Sequence, residues 1–462
     1  MWKAPFNTDI FPYKKGVYLV GGSVRDILLG LDPMDYDIAV SSPPRAFAEK
    51  LSERLSARLV CMGKNAGESF RIIAGKRIFD ISALKGESIE TDLKSRDFTI
   101  NAMAYSISTG QLIDNLDGRT DLSKKSVRMV SNRAFKDDPV RLLRAFRISA
   151  ALNFSIESRT LAMIREDSPH LMTCAGERIR EEFFGFLKSS NSYPLLEQMA
   201  ETGLLSNLIP PLKDLPDCTQ NQHHAYDVFH HTLKVYFHME DVLNQLADLE
   251  DDPGIRLQDR IRDREKVLMK YAALLHDIGK PCTRAADDKG GIHFYGHAVK
   301  SADMAEVIGR SLRLSNRDKA FADGIIRNHT RPLYLFKLHC QNQLTRKALT
   351  RFFLNCGELT PHLLLHAIAD HRGKKPNPES QFDRFALDII RTYDEQHRPR
   401  LSEMPVLNGN DLIRILGLTP SPLFKSILET VENARLADQI HTKQEALDIA
   451  KNFLHGRENS SS

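Results

Sequence analysis

Hydrophobic and polar positions along this chain change their rhythm near residue 120. Before it, short β-type apolar runs at 16–20, 36–40, 57–61, 70–73 and 77–81 alternate with helical stretches and turns. Beyond it the pattern is almost wholly helical. Residues 140–151 are amphipathic, and 177–187 repeat apolar side chains at helical spacing. A proline-rich, polar break at 210–222 predicts a domain boundary. A second helical block runs to about 370, interrupted by the charged stretch 248–263 with its Asp252-Pro253-Gly254. Residues 372–381 read as a loop, a last helical stretch follows from Asp383, and the polar end 456–462 reads as frayed.

The first runs hold the most informative local order. Residues 16–20 predict a strand, Gly21-Gly22 a turn, 23–29 a helix opened by Ser23 and stopped by Gly30, and 36–40 a second strand. Asp35 and Asp37 stand at the start of that strand, and residues i and i+2 share one face of a strand. Two carboxylates so placed can hold a pair of divalent cations, while the glycine turn brings backbone N–H groups to phosphate. Mg²⁺ held there would bridge carboxylates and triphosphate, activate an attacking hydroxyl and neutralise leaving pyrophosphate. The arrangement points to metal-assisted nucleotidyl transfer.

At 462 residues the chain predicts two to four domains. With 42% hydrophobic and 27% charged residues and no apolar run long enough to span a bilayer, it reads as a non-membrane protein. Residues 1–15 have no secretory apolar core, and the six scattered cysteines lack any Cys-x-x-Cys, which suits reduced thiols in a cytoplasm. A net charge of +4 does not mark a nucleic-acid binder, but Lys124, Lys125, Arg128, Arg133, Lys136, Arg141, Arg144 and Arg147 form a basic stripe. The stripe could track a phosphate backbone or be one solvated helix face.

Two further motifs carry chemistry. In Arg96-Asp97-Phe98 a charged pair abuts a small-residue apolar run, which predicts a buried helix with Arg96 and Asp97 at its exposed start, placed for a sugar hydroxyl and a phosphate. Asp138 and Arg141 lie three apart on one predicted helical face. A carboxylate beside a guanidinium can read the amine and ring acceptors of cytosine or adenine, whereas uracil and guanine present the opposite polarity.

On these motifs the chain resembles the bacterial-type (class II) tRNA nucleotidyltransferase and poly(A) polymerase family, continuously over residues 17–187. The resemblance rests on Gly21-Gly22-x-x-Arg25-Asp26 with Asp35-x-Asp37, Arg96-Asp97-Phe98, 114–118, Asp138-x-x-Arg141 and Glu177-Arg178-Ile179. It implies that Asp35 and Asp37 bind Mg²⁺, that Arg96 and Asp97 read the ribose, and that Asp138 with Arg141 select CTP or ATP without a nucleic-acid template. It also implies that Glu177 and Arg178 brace the template helix; Gly21, Gly22, Arg25, Arg144 and Arg147 complete the nucleotide-binding candidates. Asp80 could assist deprotonation of the 3′-hydroxyl or pair with an arginine. Ser95 stands where the family often has arginine, and Asp137 where it usually has glutamate.

Residues 84–92 are little more than a turn, where family members that complete a whole CCA end carry a longer flexible loop. The expected activity is template-independent addition of cytidine, with or without the terminal adenosine, to the 3′ end of tRNA, and the short connection makes a CC-adding enzyme a serious reading. A poly(A) polymerase using the same head is the competing reading.

Downstream, His276-Asp277 closes an apolar helix, with His231 before it and His297, His329 and Asp370 after it. Imidazole and carboxylate together suit Ni²⁺, Mn²⁺, Fe²⁺ or Zn²⁺. This stretch resembles an HD-type metal phosphohydrolase domain, with His231, His276, Asp277 and Asp370 at the core positions and His297 and His329 as further ligands. A hydrolase whose head merely binds RNA is the reading from another class. The expected fold class is α+β: a nucleotidyltransferase head with a small mixed β-sheet (1–122), an all-α neck bearing the template (123–210), an HD-type helical domain (211–375) and a helical tail placed to contact RNA (376–462).

Overall fold

Near the N-terminus, the apolar run Val17–Val20 forms β1, Gly22–Leu28 forms helix α1, and Asp35–Val40 forms β2. In β2 the residues Tyr36, Ile38, Ala39 and Val40 are all buried, as in a central strand covered on both faces. Helix α2 (Pro44–Leu55) leads to β3 (Arg58–Met62), β4 (Ser69–Ala74) and β5 (Arg77–Ala83). After α3 (Ile89–Lys94) come β6 (Ala104–Ser106) and β7 (Leu112–Ile113). The seven strands form one sheet in the order β3-β4-β5-β2-β1-β6-β7. Only the β2–β5 pair is parallel; it sets Asp37 opposite Asp80 and stacks Tyr36 on Phe79. The computed structural model describes residues 8–458 apart from 42, 63–68, 221–224, 248–256, 259, 289–290, 376–380, 402 and 437–438. Much of the charged stretch 248–263 and of the loop 372–381 thus lies outside the described residues, as do 221–222 of the polar break and the last four residues.

Two local expectations are corrected. Gly21, at φ +73°, is the N-cap of α1, and the Ser23 hydroxyl instead donates to the Val20 carbonyl at 2.8 Å. The segment after Arg96-Asp97 is a single 3-10 turn, Thr99–Asn101, that feeds β6 rather than a buried helix. β6 pairs with β1, so the small apolar residues there supply a sheet partner.

Helices then take over. They are α4 (Gly118–Ser123), α5 (Ala134–Asp137), α6 (Arg141–Leu152), α7 (Ser158–Asp167), α8 (Gly176–Leu187), α9 (Tyr193–Glu201) and α10 (Leu204–Leu208). The two-residue strands β8 (Ser126–Val127) and β9 (Ser155–Ile156) pair in parallel among them. Helix α6 packs its apolar face, with Leu142, Leu143, Phe146 and Ile148, against α8. The chain divides into two compact units, Met1–Pro210 and Pro211–Ser462.

The second unit is helical apart from the short hairpin of β10 (Ala285–Ala286) and β11 (Ile292–His293). Helices α11 (Val228–Asn244), α12 (Asp263–Leu275), α13 (Lys280–Thr283), α14 (His297–Ser311), α15 (Asn316–Asn328), α16 (Arg331–Cys340), α17 (Arg346–Cys356) and α18 (Thr360–Arg372) build its first part. Helix α18 is buried on nearly every side and packs on α11, α12 and α15. Helix α19 (Gln381–Thr392) passes through a π-turn into α20 (Arg398–Leu401). Finally α21 (Gly409–Leu416), α22 (Leu423–Leu436) and α23 (Lys443–Glu458) close on their own core of Leu407, Leu412, Ile427, Val431 and Ala446. Among the described residues no helix is long and apolar enough to cross a membrane.

Candidate active site and candidate metal centre

In the first unit the site forms where β1 ends and β2 begins. A Cβ added to Gly21 would lie 2.8 Å from Asp37 Oδ2 and 2.9 Å from Arg96 Nη1. The turn therefore brings bare backbone against a carboxylate and a guanidinium, which only glycine allows. Asp35 is exposed and Asp37 half-buried. Burial is the largest influence on Asp37; Arg96 opposes it, but the charges of Asp80 and Asp35 reinforce it and push its pKa up to about 6. Asp80 stands beside Asp37 and makes a bidentate pair with Arg71, both bonds at 2.7 Å.

Arg96 and Asp97 have well-defined partners. Arg96 Nε donates to Asp92 Oδ2 at 3.0 Å, and the other oxygen of Asp92 accepts the Lys85 N–H, also at 3.0 Å. Asp97 accepts from its neighbour's Phe98 N–H, from Asn101 Nδ2 and from Arg144 Nη1. Asn101 in turn accepts from Arg25 Nη1 at 2.8 Å. Arg144 Nε and Arg147 Nε both donate to Glu182 on α8. One network thus runs from Arg25 through Asn101, Asp97 and Arg144 to Glu182 and Arg147.

Asp138 and Arg141 do not share a helical face. Asp138 is extended (φ −154°, ψ 95°) between α5 and α6, as expected of a residue before proline. Its Oδ2 accepts from Arg178 Nη2 at 2.7 Å. Burial would raise its pKa, but the hydrogen bond and charge of Arg178, helped by Arg141 and Arg144, hold it below the ordinary value. The Arg141 guanidinium is fixed by carbonyls. Nη2 donates to Ser95 at 2.9 Å, and Nη1 to Ala134 at 3.3 Å and Arg96 at 3.4 Å. Its Nε–H, buried, has no hydrogen-bond partner among the described residues. Three of the five guanidinium hydrogens are thus used; Nε, left over with one hydrogen on Nη2, lies 3.9 Å from Asp138 Oδ2.

Glu177 opens α8, but the residue of that helix that ties Arg144 and Arg147 is Glu182. The carboxylate of Asp114 accepts the backbone N–H groups of Gly118 and Arg119 and so shapes the entry to α4. Much of the basic stripe is engaged within the unit. Arg128 binds Asp121, Arg133 pairs with Asp137, Lys136 stands near Glu166 and Asp167, and the three arginines of α6 are held as above.

In the second unit five helix ends converge. His231 lies in the first turn of α11, His276-Asp277 just past α12, His297 opens α14, His329 follows α15, and Asp370 sits near the end of α18. Asp277 is the hub. Its Oδ2 lies 3.4 Å from His231 Nε2 and 3.1 Å from His276 Nε2; its Oδ1 lies 3.4 Å from His297 Nε2 and 3.7 Å from His329 Nε2. Asp370 Oδ1 adds a contact to His231 at 3.1 Å. The four imidazoles are oriented from behind by backbone carbonyls. Nδ1 of His231 faces Gly373 O, that of His276 faces Ala273 O, that of His297 faces Phe294 O, and that of His329 faces Ile326 O. A carbonyl can only accept, so each Nδ1 carries a proton, and Nε2 is the nitrogen each ring would offer a metal.

His297 and His329 then oppose two lone pairs at 3.1 Å, which calls for a cation between them. The buried Asp277 oxygens and His276 Nε2 likewise lack any well-directed hydrogen bond among the described residues. Two groups with metal-binding geometry result: His231, His276 and Asp277, and Asp277, His297 and His329. Burial disfavours a charge on His231, yet Asp277 and Asp370 draw its pKa upward, as in a site shaped for positive charge.

Several residues here escaped sequence reasoning. Lys280 is buried, 2.6 Å from Asp277 Oδ2 and bonded to Gln220. His366, one turn before Asp370, is buried with its ring 5.3 Å from that of His276. Its i−4 spacing from Asp370 was the one available signal. In the first unit Asp92, Asn101 and Glu182 were also missed, and nothing in their spacing marks them.

Comparison with known proteins gives a consistent picture. Family models described as "Poly A polymerase head domain", "Probable RNA and SrmB- binding site of polymerase A" and "HD domain" match residues 17–128, 153–215 and 228–403. The A-adding tRNA nucleotidyltransferase of Deinococcus radiodurans is 31% identical, over 94% of this chain and 95% of that one. The CC-adding tRNA nucleotidyltransferase of Thermus thermophilus is 30% identical, over 97% and 96%. A CCA-adding enzyme solved with CTP shares the fold at a TM-score of 0.64 and 22% identity, over 95% of this chain and 91% of that one.

Proposed function

The chain belongs to the tRNA nucleotidyltransferase and poly(A) polymerase family, and from that premise we propose that it adds cytidine from CTP to the 3′ end of tRNA without a nucleic-acid template. Asp35 and Asp37 would hold Mg²⁺, whose hard-oxygen preference they suit; burial first, then the charges of Asp80 and Asp35, raise the pKa of Asp37, and a bound cation would offset both. Bound there, the ion supplies charge neutralisation for the triphosphate and the departing pyrophosphate. The Gly21-Gly22 turn and Arg25 would lie along the phosphates, and Arg96 and Asp97 along the ribose. Arg144 and Arg147 support that wall through Asp97 and Glu182.

The observation that carries the choice of base is the fixed guanidinium of Arg141. Its hydrogens on Nε and Nη2 that no carbonyl takes would serve as donors to the base, and Asp138 keeps Oδ1 as an acceptor. Cytosine offers an amine followed by two acceptors and satisfies all three. Adenine offers an amine and one acceptor, leaving a donor unmet. A poly(A) polymerase is accordingly not favoured, nor is a head that only binds RNA.

Addition is proposed to stop after CC. Between β5 and α3 the chain has five residues, 84–88, and Lys85 within them is tied to Asp92. At about 3.3–3.6 Å per residue, so short a connection cannot reach over the site and return. The two curated relatives differ in this very property, so the decision falls to experiment. Transcripts of tRNA ending at the discriminator base, at C and at CC are each given single NTPs. Two CMP additions followed by arrest are expected. Efficient ATP incorporation onto the CC end would overturn the CC reading, in favour of full CCA addition if CMP is also added to the shorter transcripts and of A addition alone if it is not.

A second activity is favoured by the His/Asp cluster. His231, His276, Asp277 and Asp370, with His297 and His329, would hold one or two transition-metal ions, Ni²⁺, Mn²⁺, Fe²⁺ or Zn²⁺. The chemistry such a centre supplies is hydrolysis of a phosphoester, with a 2′,3′-cyclic phosphate at an RNA end as the proposed substrate. Protein that carries no metal and hydrolyses no phosphoester under several divalent cations would reduce the domain to scaffold.

A further inference from the structure

Beyond its tie to Lys85, Asp92 takes no part in the reading above, yet three parts of the head meet on it. It lies in the last turn of α3 and is 3% exposed. A buried carboxylate is costly unless every lone pair is used, and here they are used on different segments. Oδ1 accepts the N–H of Lys85 in the short connection, and Oδ2 accepts from Arg96 Nε at 3.0 Å with Nη2 at 2.9 Å. Its main-chain carbonyl accepts both the N–H and the hydroxyl of Ser95, at 3.0 and 2.7 Å. The carbonyls of Ser95 and Arg96 are in turn two of the three acceptors that seat the Arg141 guanidinium. At the other end of its side chain, Arg96 Nη1 rests against the Gly21 turn.

We infer that Asp92 is a positioning residue for base selection: by joining the 84–88 connection to Arg96 and Ser95, it fixes the edge that Arg141 presents to the incoming base. The inference rests on the reading that Asp138 and Arg141 select the base. A fixed Arg141 beside Asp138 favours cytosine, as argued above. An Arg141 free to tilt could offer one donor at a better angle to adenine or uracil. The Ser95 hydroxyl, standing where related chains often carry arginine, adds a second tie to the same carbonyl. A residue that only stapled the fold would slow every nucleotide alike when removed; a positioning residue changes their ratio.

The test uses the full chain and a tRNA transcript ending at the discriminator base. Single-turnover efficiencies for CTP, ATP and UTP are measured for the wild type, Asp92→Asn, Asp92→Ala and Arg141→Ala, alongside melting temperatures. Asp92→Ala is expected to lose about tenfold in CTP efficiency while ATP and UTP fall much less, the scale of one good base contact. Asp92→Asn keeps an acceptor for Lys85 but loses the charge facing Arg96, so an intermediate ratio is expected; it also serves if the alanine variant does not fold. An equal fall for all three nucleotides in both Asp92 variants would overturn the inference and leave Asp92 a staple. An unchanged ratio in Asp92→Asn and Asp92→Ala, with a relaxed ratio in Arg141→Ala, would overturn the inference alone. An unchanged ratio in Arg141→Ala as well would overturn the base-template reading together with it.

Discussion

Both units place carboxylates where a cation is wanted, but by different means. In the head, Asp35 is exposed at the start of a strand, Asp37 is half-buried, and the charges of Arg96 and Arg25 act on Asp37. In the second unit His231, His276 and Asp277 are at most 1% exposed, and every imidazole is oriented by a carbonyl behind it. An open pair of oxygens suits a hydrated Mg²⁺ that arrives with the triphosphate and is completed by it. A closed set of oriented imidazoles suits an ion that stays. On the proposed assignments, the difference suits a transient metal in one unit and a resident one in the other.

The sharpest way to break that contrast is at Asp37. Asp37→Ala is expected to lower CMP addition by at least about 10²–10³-fold, the scale for removing a group that stabilises developing charge. Its metal content, read by elemental analysis after loading with Mn²⁺ or Ni²⁺, should match that of the wild type. Transfer retained within about tenfold would remove Asp37 from the metal role.

Asp277 tests the other side. Because both metal-binding groups share it, Asp277→Ala is expected to reduce bound transition metal by about tenfold or more, and His329→Ala by roughly half. CMP addition should stay near wild type in both. Equal losses of metal in the two variants would show a single ion and dissolve the two-group description.

How much of this could be read from residues alone follows the same contrast. The strand, glycine turn, helix and acidic strand of the head were legible because each has a local signal within a few residues. The histidines and aspartates that converge in the second unit were legible as candidates because such residues at helix ends are chemically conspicuous. Their partners were not. Glu182 and Asp92 are ordinary acidic residues on helices, and their function comes from what folding brings near them. The segment after Asp97 was misread as helix because its small apolar residues suit either a helix or the strand that β1 required. The misplacement of Asp138 was avoidable: Pro139 follows it, and a residue before proline is pushed to extended backbone.

A smaller effect is expected at the base template. Asp138→Ala removes the acceptor for the cytosine amine but leaves the triphosphate site intact. UTP and GTP should then compete, with discrimination relaxed by about tenfold, corresponding to ~1–3 kcal/mol per bidentate contact. Competition assays with mixed NTPs check this. Unchanged discrimination would mean that the base is read elsewhere, and Asp138 would remain only as the partner of Arg178.

The smallest expected effect separates bracing from reading. Glu182 is buried and accepts from Arg144 and Arg147 at once, while Arg144 also reaches Asp97. Glu182→Gln keeps the shape and one acceptor oxygen but removes the charge. The two arginines are about one-third exposed, so water replaces part of what is lost. A loss of about 1 kcal/mol in the urea unfolding free energy is expected, toward the low end for hydrogen bonds to charged groups. Base selectivity should hardly move, because the network makes no hydrogen bond to Asp138 or Arg141 and reaches Asp138 only through the charge of Arg144. If Glu182→Gln relaxes base choice as far as Asp138→Ala does, the network is not a passive brace, and selection in the head depends on the placement of α6 as a whole.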